Sequence, residues 1–418
     1  MILSSFLALV PAAPVPAPVP SDLFVIKARR VELGNGEVME HAVILIEDGV
    51  IVTMGQDLAV ERGIPVIELD ENQIVMPGLV NPYSRYGMSG GGFNDARPQV
   101  MASTELYPSP AYDAFLENGI TTVAQYPAGQ GIPGQAVALR PFGTTPKEMI
   151  LEDGVYLKVV MRNSSSYKRN LIDGFKKADQ HLEKVKKERE KWEAKNSKKK
   201  STKKSDDKDD EKKPAAKSSS KTSKEFVEPK VDPRVQPFLD LRDGKLRALF
   251  SIGNAASYVH LEDAIGDEEF EWHLRVPLTR DIDVFHVKDK IGDKGCFCLM
   301  EPLITLMPGT MRQRNLPAEF DRAGAKLVLL PRSDSAAGFK AFFEDVGVMI
   351  AAGLDRKSAM RAITQNPAGF LGMGDKIGTL GEGMRANLLV LSGDPFQPGT
   401  KIDGVMLDGR FLTGDIDQ

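Results

Sequence analysis

Apolar residues recur along this chain in three regimes. From residue 23 to residue 74 they form short β-branched runs broken by turn signals: residues 42–47, then Asp48-Gly49, then residues 50–54. That spacing predicts a hairpin meander. Residues 386–391, the turn Gly393-Asp394-Pro395, residues 405–407, Asp408-Gly409 and Phe411-Leu412 repeat the style near the C-terminus, so both ends are expected to share one small β-domain. Between them, strand-like runs at 120–124, 157–161, 246–252, 296–300 and 326–330 alternate with helical periodicity, which predicts a β/α barrel. Residues 356–364 read as a helix, and Asn366 is placed to cap a second one that Pro367 opens.

The chain thus divides into a Pro/Ala-rich leader over 1–20, a composite β-domain from 21–74 and 377–418, and a barrel over 75–376. An insert over 176–230 belongs to neither: 176–194 has the charged pattern of a solvated helix, and 198–224 is a low-complexity run of Lys, Ser and Asp expected to be disordered in isolation. The leader carries an apolar stretch at 2–10 and small residues, Ala13 and Ala17, as cleavage positions, but no Lys or Arg precedes Lys27. It is read as an export signal, giving a periplasmic or secreted protein, with a cytoplasmic one as the alternative. Its apolar run is too short to span a bilayer.

Charge narrows the partners. A formal net charge of -4 provides no basic surface for nucleic acid. The lysine-rich tract is interrupted by Asp206, Asp207, Asp209, Asp210 and Glu211 and lacks aromatics, which favours a solvated linker over a nucleic-acid or membrane arm. The only cysteines, Cys296 and Cys298, fall on one face of an apolar strand and read as core thiols, since a thiolate metal site needs further ligands. Glycine-rich stretches at 90–92 and 129–134 fit neither the phosphate-cradling nor the dinucleotide pattern and are expected as loops at the barrel mouth.

The informative stretch is Val75-Met76-Pro77-Gly78-Leu79-Val80-Asn81-Pro82-Tyr83-Ser84-Arg85. It resembles the first barrel strand of the amidohydrolase superfamily, particularly the imidazolonepropionase-like branch, in the form P-G-L-I-D-x-H-x-H. Gly119-Ile120-Thr121-Thr122-Val123 is similar to that family's second strand, residues 359–372 to its A-L-R-A-x-T-x-N-P-A-x-x-L-G helix pair, and residues 378–394 to its closing G-x-L-x-x-G-x-x-A-D-L-V-V-L-x-G-D-P. The resemblance implies a (β/α)8 TIM-like barrel with a small β-sandwich domain formed by the N- and C-terminal segments. It also implies a hydrolase of carbon–nitrogen bonds other than peptide bonds, using zinc or another divalent metal.

In that family the paired histidines stand at i and i+2 of the first strand, which share a face and reach one metal at the mouth. Here the positions hold Tyr83 and Arg85. Arginine has no lone pair to give and a neutral tyrosine is a poor ligand, so no metal ligand and no cofactor are expected. Ser251 stands where the resemblance implies the fifth-strand histidine. His286, near the expected end of the sixth strand, is the surviving histidine candidate, although such a residue is commonly structural. Asp334 follows the expected eighth strand, where the family keeps the aspartate that binds metal and shuttles the proton. Alternatively, Ser333, Asp334 or Ser335 caps a helix beginning near Ala337. Lys158 is read as a surface or pocket lysine, or as the counterpart of a lysine that some relatives carbamylate. The Arg85 guanidinium is expected to fill the former metal position and pair with Asp334.

The leading functional expectation is a catalytically degenerate amidohydrolase-like protein. It would bind a small molecule through Tyr83, Arg85, Ser251 and His286, or pair as a homodimer or with an active homologue through the barrel's outer helices. The alternative is an active hydrolase of amide or cyclic amide bonds, with Asp334 catalytic in a site rebuilt from Tyr83, Arg85 and His286. A third reading makes the lysine-rich tract an interaction module carried by the barrel.

Overall fold

Main-chain hydrogen bonding organises the computed structural model around two eight-stranded sheets. The structure describes residues 23–93, 95–202, 225–414 and 416; the expected leader and residues 203–224 of the lysine-rich tract lie outside them. In chain order the strands are β1 (Leu23–Glu32), β2 (Val38–Glu47), β3 (Val50–Gln56), β4 (Val66–Glu68), β5 (Ile74–Pro77), β6 (Leu79–Ser84), β7 (Ile120–Gln125), β8 (Gly134–Leu139) and β9 (Ile150–Met161). They continue as β10 (Ala248–Ile252), β11 (Trp272–Arg275), β12 (Phe297–Met300), a small hairpin of β13 (Thr305–Leu306) and β14 (Gln313–Arg314), then β15 (Lys326–Leu329), β16 (Leu388–Leu391), β17 (Ile402–Leu407) and β18 (Arg410–Thr413).

The first sheet joins the chain ends in the order β18-β17-β16-β5-β1-β2-β3, with β4 also paired to β1. Its two tightest turns follow from the sequence: Asp48 and Gly49 sit at φ 49° and 80°, Asp408 and Gly409 at 48° and 79°. Consecutive positive φ values are what a two-residue hairpin needs to match strand twist. Ile26, Ile44, Ile46, Ile51, Val75, Leu388, Val390 and Met406 form its buried core.

The second sheet is the barrel, with β6, β7, β8, β9, β10, β11, β12 and β15 adjacent in chain order. Its ladders are parallel except that β8 runs antiparallel to both β7 and β9, so the barrel opens with a meander before β/α alternation takes over. Val80, Ala124, Ala138, Tyr156, Leu249, Leu299 and Val328 fill its interior. The turn into the barrel depends on Gly78: a Cβ there would stand 2.2 Å from Thr121 Oγ1 on β7, an approach only glycine permits.

Helices follow the expected pattern with two corrections. The charged helix runs over Ser165–Thr202, so the first residues of the tract expected to be disordered are helical. Its early turns bury Leu171, Phe175 and Ala178 against the barrel, a packing face that composition alone conceals. Asn366 is not a cap. Thr364 occupies the N-cap of the helix Gln365–Phe370, and the Asn366 amide lies inside it, donating to the Leu327 carbonyl of β15 at 2.7 Å. Both cysteines are buried free thiols. No helix among the described residues is long and apolar enough to cross a membrane.

A buried charge ties the composite sheet to the barrel's helical layer. Glu32, fully enclosed on β1, accepts from Arg30 at 2.9 Å and from Arg356 of the helix Arg356–Ile363 at 2.8 Å; Arg356 also reaches Asp394 at 2.8 Å. Removing Arg356 leaves the enclosed Glu32 with Arg30 as its remaining cation, so part of the compensation of its charge is lost. Arg356→Ala is therefore expected to lower stability by about 2 kcal/mol in urea unfolding, with Arg356→Lys recovering part of it. A loss under about 1 kcal/mol would contradict this assignment.

Candidate functional site

The C-terminal ends of the barrel strands place Ser84 at the end of β6 and Arg85 beyond it, Tyr126 beyond β7, Lys158 and Ser251 near the ends of β9 and β10, Arg275 at the end of β11, and Glu301 and Asp334 beyond β12 and β15. β6 and β15 stand at opposite ends of the sheet's hydrogen-bonded path. Asp334 brings them together: Ser84 Oγ donates to its Oδ1 and the Arg85 amide to its Oδ2, each at 2.6 Å. Ser335, not Asp334, caps the helix Ala336–Lys340, which leaves the aspartate free for this task. Burial raises its carboxyl above the usual range, opposed by the Ser84 hydroxyl, the amides of Arg85 and Tyr86, and the Arg85 charge.

The expected pairing of the Arg85 guanidinium with Asp334 is not what the structure contains. That guanidinium donates to the carbonyls of Tyr126 at 2.6 Å and Gly90 at 3.3 Å and lies 3.6 Å from Glu105. The physical reason is competition: the carbonyl after β7 and that of Gly90 in the glycine-rich loop suit the planar fork, and the guanidinium takes them in place of the carboxylate.

A cation–aromatic cluster lies inside the mouth. Tyr83 and Tyr126 stack with centroids 4.1 Å apart. Lys158 Nζ stands 3.7 Å from the Tyr126 centroid and 5.4 Å from that of Tyr83, and Arg275 Cζ is 5.3 Å from Tyr83. Arg275 makes a two-pronged pair with Glu301, which also accepts from the Leu278 amide at 2.9 Å. Its Nε is buried without a hydrogen-bond partner among the described residues. Lys158 is 7% exposed and has no carboxylate partner among the described residues. Burial first, then the charges of Arg85 and Arg275, pushes its amine down to about 7. Burial pushes the hydroxyls of Tyr83 and Tyr126 up.

The structure thus brings Tyr83, Arg85 and Asp334 together and adds Lys158. Ser251 is half-buried on β10, in ladder register with Arg275. His286 does not join them. It is exposed in the short turn Val284–Val287, its ring 4.2 Å from that of Phe285, because the sixth strand ends at Arg275 and an irregular segment follows. Sequence reasoning missed Ser84, Tyr126, Arg275 and Glu301. The signal available for the last two was a charged residue closing an apolar strand, in Trp272-His273-Leu274-Arg275 and Cys298-Leu299-Met300-Glu301. Among the described residues, no three or more His, Cys, Asp or Glu side chains gather as a metal ion needs.

A curled, mostly parallel eight-stranded sheet with polar chemistry at its strand ends, joined to a sheet built from both chain termini, defines the amidohydrolase architecture. Residues 330–413 match the model of the Amidohydrolase family. An amidohydrolase from Thermotoga maritima MSB8 superposes with a TM-score of 0.73 at 17% identity, covering 94% of this chain and 100% of that one. Molinate hydrolase gives 0.52 at 15% identity over 94% and 95% of the two chains, and a prolidase complexed with N-methylphosphonate-L-proline gives 0.52 at 14% over 94% and 100%. No curated protein matches the chain in sequence. The chain therefore has the fold of these amidohydrolase structures along its described length, and residues 330–413 match the Amidohydrolase family in sequence.

The Lys158 environment has a measurable consequence. Its folded-state midpoint lies near 7 against an ordinary 10.5, so between those values the unfolded chain holds the extra proton and stability rises with pH. Below about pH 7 the penalty of burying the charge is complete. Lys158→Met is expected to raise the melting temperature at pH 7 and to flatten the pH dependence between 7 and 10. A variant less stable than its parent throughout would contradict the assignment.

Proposed function

We propose that this protein uses the amidohydrolase barrel as a metal-free scaffold that binds a small molecule at its mouth, and that metal-assisted hydrolysis is not its activity. The observation that carries the reading is the donor set at the strand ends. Arg85 and Arg275 have no lone pair and a fixed positive charge, and Tyr83 is held protonated by burial. Lys158 lies between aromatic rings. Asp334 can offer a carboxylate, but both its oxygens already accept hydrogen bonds. This set does not fit zinc, which takes imidazole, thiolate or carboxylate ligands and would here face two guanidinium charges. In this reading, the first strand that matches the imidazolonepropionase-like pattern through Val80 marks the branch from which the scaffold derives.

The competing reading is a hydrolase with a rebuilt site, and the solved structures similar to this chain include hydrolases. The position of His286 weakens it: outside the mouth, that residue leaves Asp334 and the Lys158 amine as the acid–base groups there, with no activated water. General base catalysis contributes typically about 10² to 10⁴-fold, too little for an unactivated amide without an activated water.

Assay of the purified chain on N-acyl amino acids and cyclic amides, with added zinc and after exhaustive chelation, tests the choice. No turnover above background is expected in either condition. Turnover that needs zinc would overturn the proposal, and so would turnover that survives chelation yet disappears in Asp334→Ala.

A further inference from the structure

Lys158 presents a problem that the protein does not solve with its own groups. An ammonium removed from water ordinarily needs a carboxylate beside it. Glu301 is committed to Arg275 and the Leu278 amide, Glu105 lies against Arg85, and Asp334 is held by Ser84 and the Arg85 amide. Lys158 is left with two phenol rings, in a mouth that also contains two guanidiniums. The Arg275 Nε–H, enclosed and unpartnered among the described residues, is a second donor without an acceptor. An enclosed Arg275 Nε–H without an acceptor and the amine of a nearly buried lysine without a carboxylate among the described residues, beside a flat aromatic stack, describe a partner that carries an anion on a planar body.

We propose that the barrel mouth is a carboxylate-binding site, in which the anionic group of a small planar acid takes the Lys158 amine and the Arg275 Nε–H as donors and its flat body lies against Tyr83 and Tyr126. This rests on reading the barrel as metal-free. A carboxylate is preferred to phosphate because it needs only two in-plane donors and leaves its own ring free to stack. Binding has a proton signature. Lys158 faces the rings of Tyr83 and Tyr126, whose hydroxyls are pushed up, and the permanently charged Arg85 and Arg275; Glu301, Asp334 and the raised hydroxyl of Tyr156 stand around Tyr83 behind them. An anion beside a depressed amine raises its proton affinity, so binding above neutrality draws in a proton.

Calorimetric titration of the full chain with benzoate and with inorganic phosphate, from pH 6 to 9 in buffers of different ionisation heat, tests this. Benzoate is expected to bind at one equivalent and more tightly than phosphate. Its affinity should fall by up to about tenfold per pH unit above 7, with proton uptake at pH 8. Lys158→Met and Lys158→Gln, each shown folded by circular dichroism, are both expected to weaken binding about tenfold or more and to abolish the uptake. Benzoate affinity unchanged in both variants would overturn the proposal, as would phosphate bound in preference to benzoate. Zinc is assayed in the same samples. Benzoate binding that requires bound zinc would overturn the metal-free reading itself, whereas zinc-free protein that ignores benzoate overturns only the carboxylate site.

Discussion

Asp334 accepts from the Ser84 hydroxyl and from the Arg85 amide, and this pair of bonds spans the two ends of the barrel sheet. Much of the mouth's geometry follows from it. With the backbone at Arg85 pinned to the end of the last strand, the Arg85 side chain is free to turn towards the glycine-rich loop, where it meets the carbonyls of Tyr126 and Gly90. Tyr83, two residues earlier, stacks on Tyr126. The carboxylate thus acts as a clamp in main-chain hydrogen bonding, a use that requires no metal.

Around that clamp the charges are nearly balanced. Arg275 faces Glu301, and Arg85 faces Glu105 and two carbonyls. Lys158 is the cation left over among the described residues, held by π faces rather than by an acid. A metalloenzyme of this fold would bring a dication and neutral or anionic donors to the same place. Here the cationic character comes from covalently attached side chains, and the complement it favours is an anion.

How much of this was legible depends on what each feature requires of the chain. Turns such as Asp48-Gly49 and Asp408-Gly409 were readable because left-handed backbone restricts residue choice, and the sheet built from both termini followed from alternation at the two ends. The Pro77-Gly78-Leu79-Val80 stretch was readable because close approach to Thr121 admits only glycine. Hydrogen-bond partners were not. The sequence placed Arg85 and Asp334 at one mouth, but which donor reaches the carboxylate depends on competing acceptors brought in by loops distant in sequence. Arg275 was missed for a related reason: its strand is only four residues long, so the expected strand end drifted to His286, which lies in an exposed turn.

We propose above that the strand-end residues do not hold a metal. Elemental analysis of the purified chain after incubation with zinc and removal of loosely bound ions, with Asp334→Ala as the control, tests it most directly. Less than about a tenth of an equivalent of zinc is expected in both proteins. A stoichiometric ion in the parent that is lost in Asp334→Ala would contradict it.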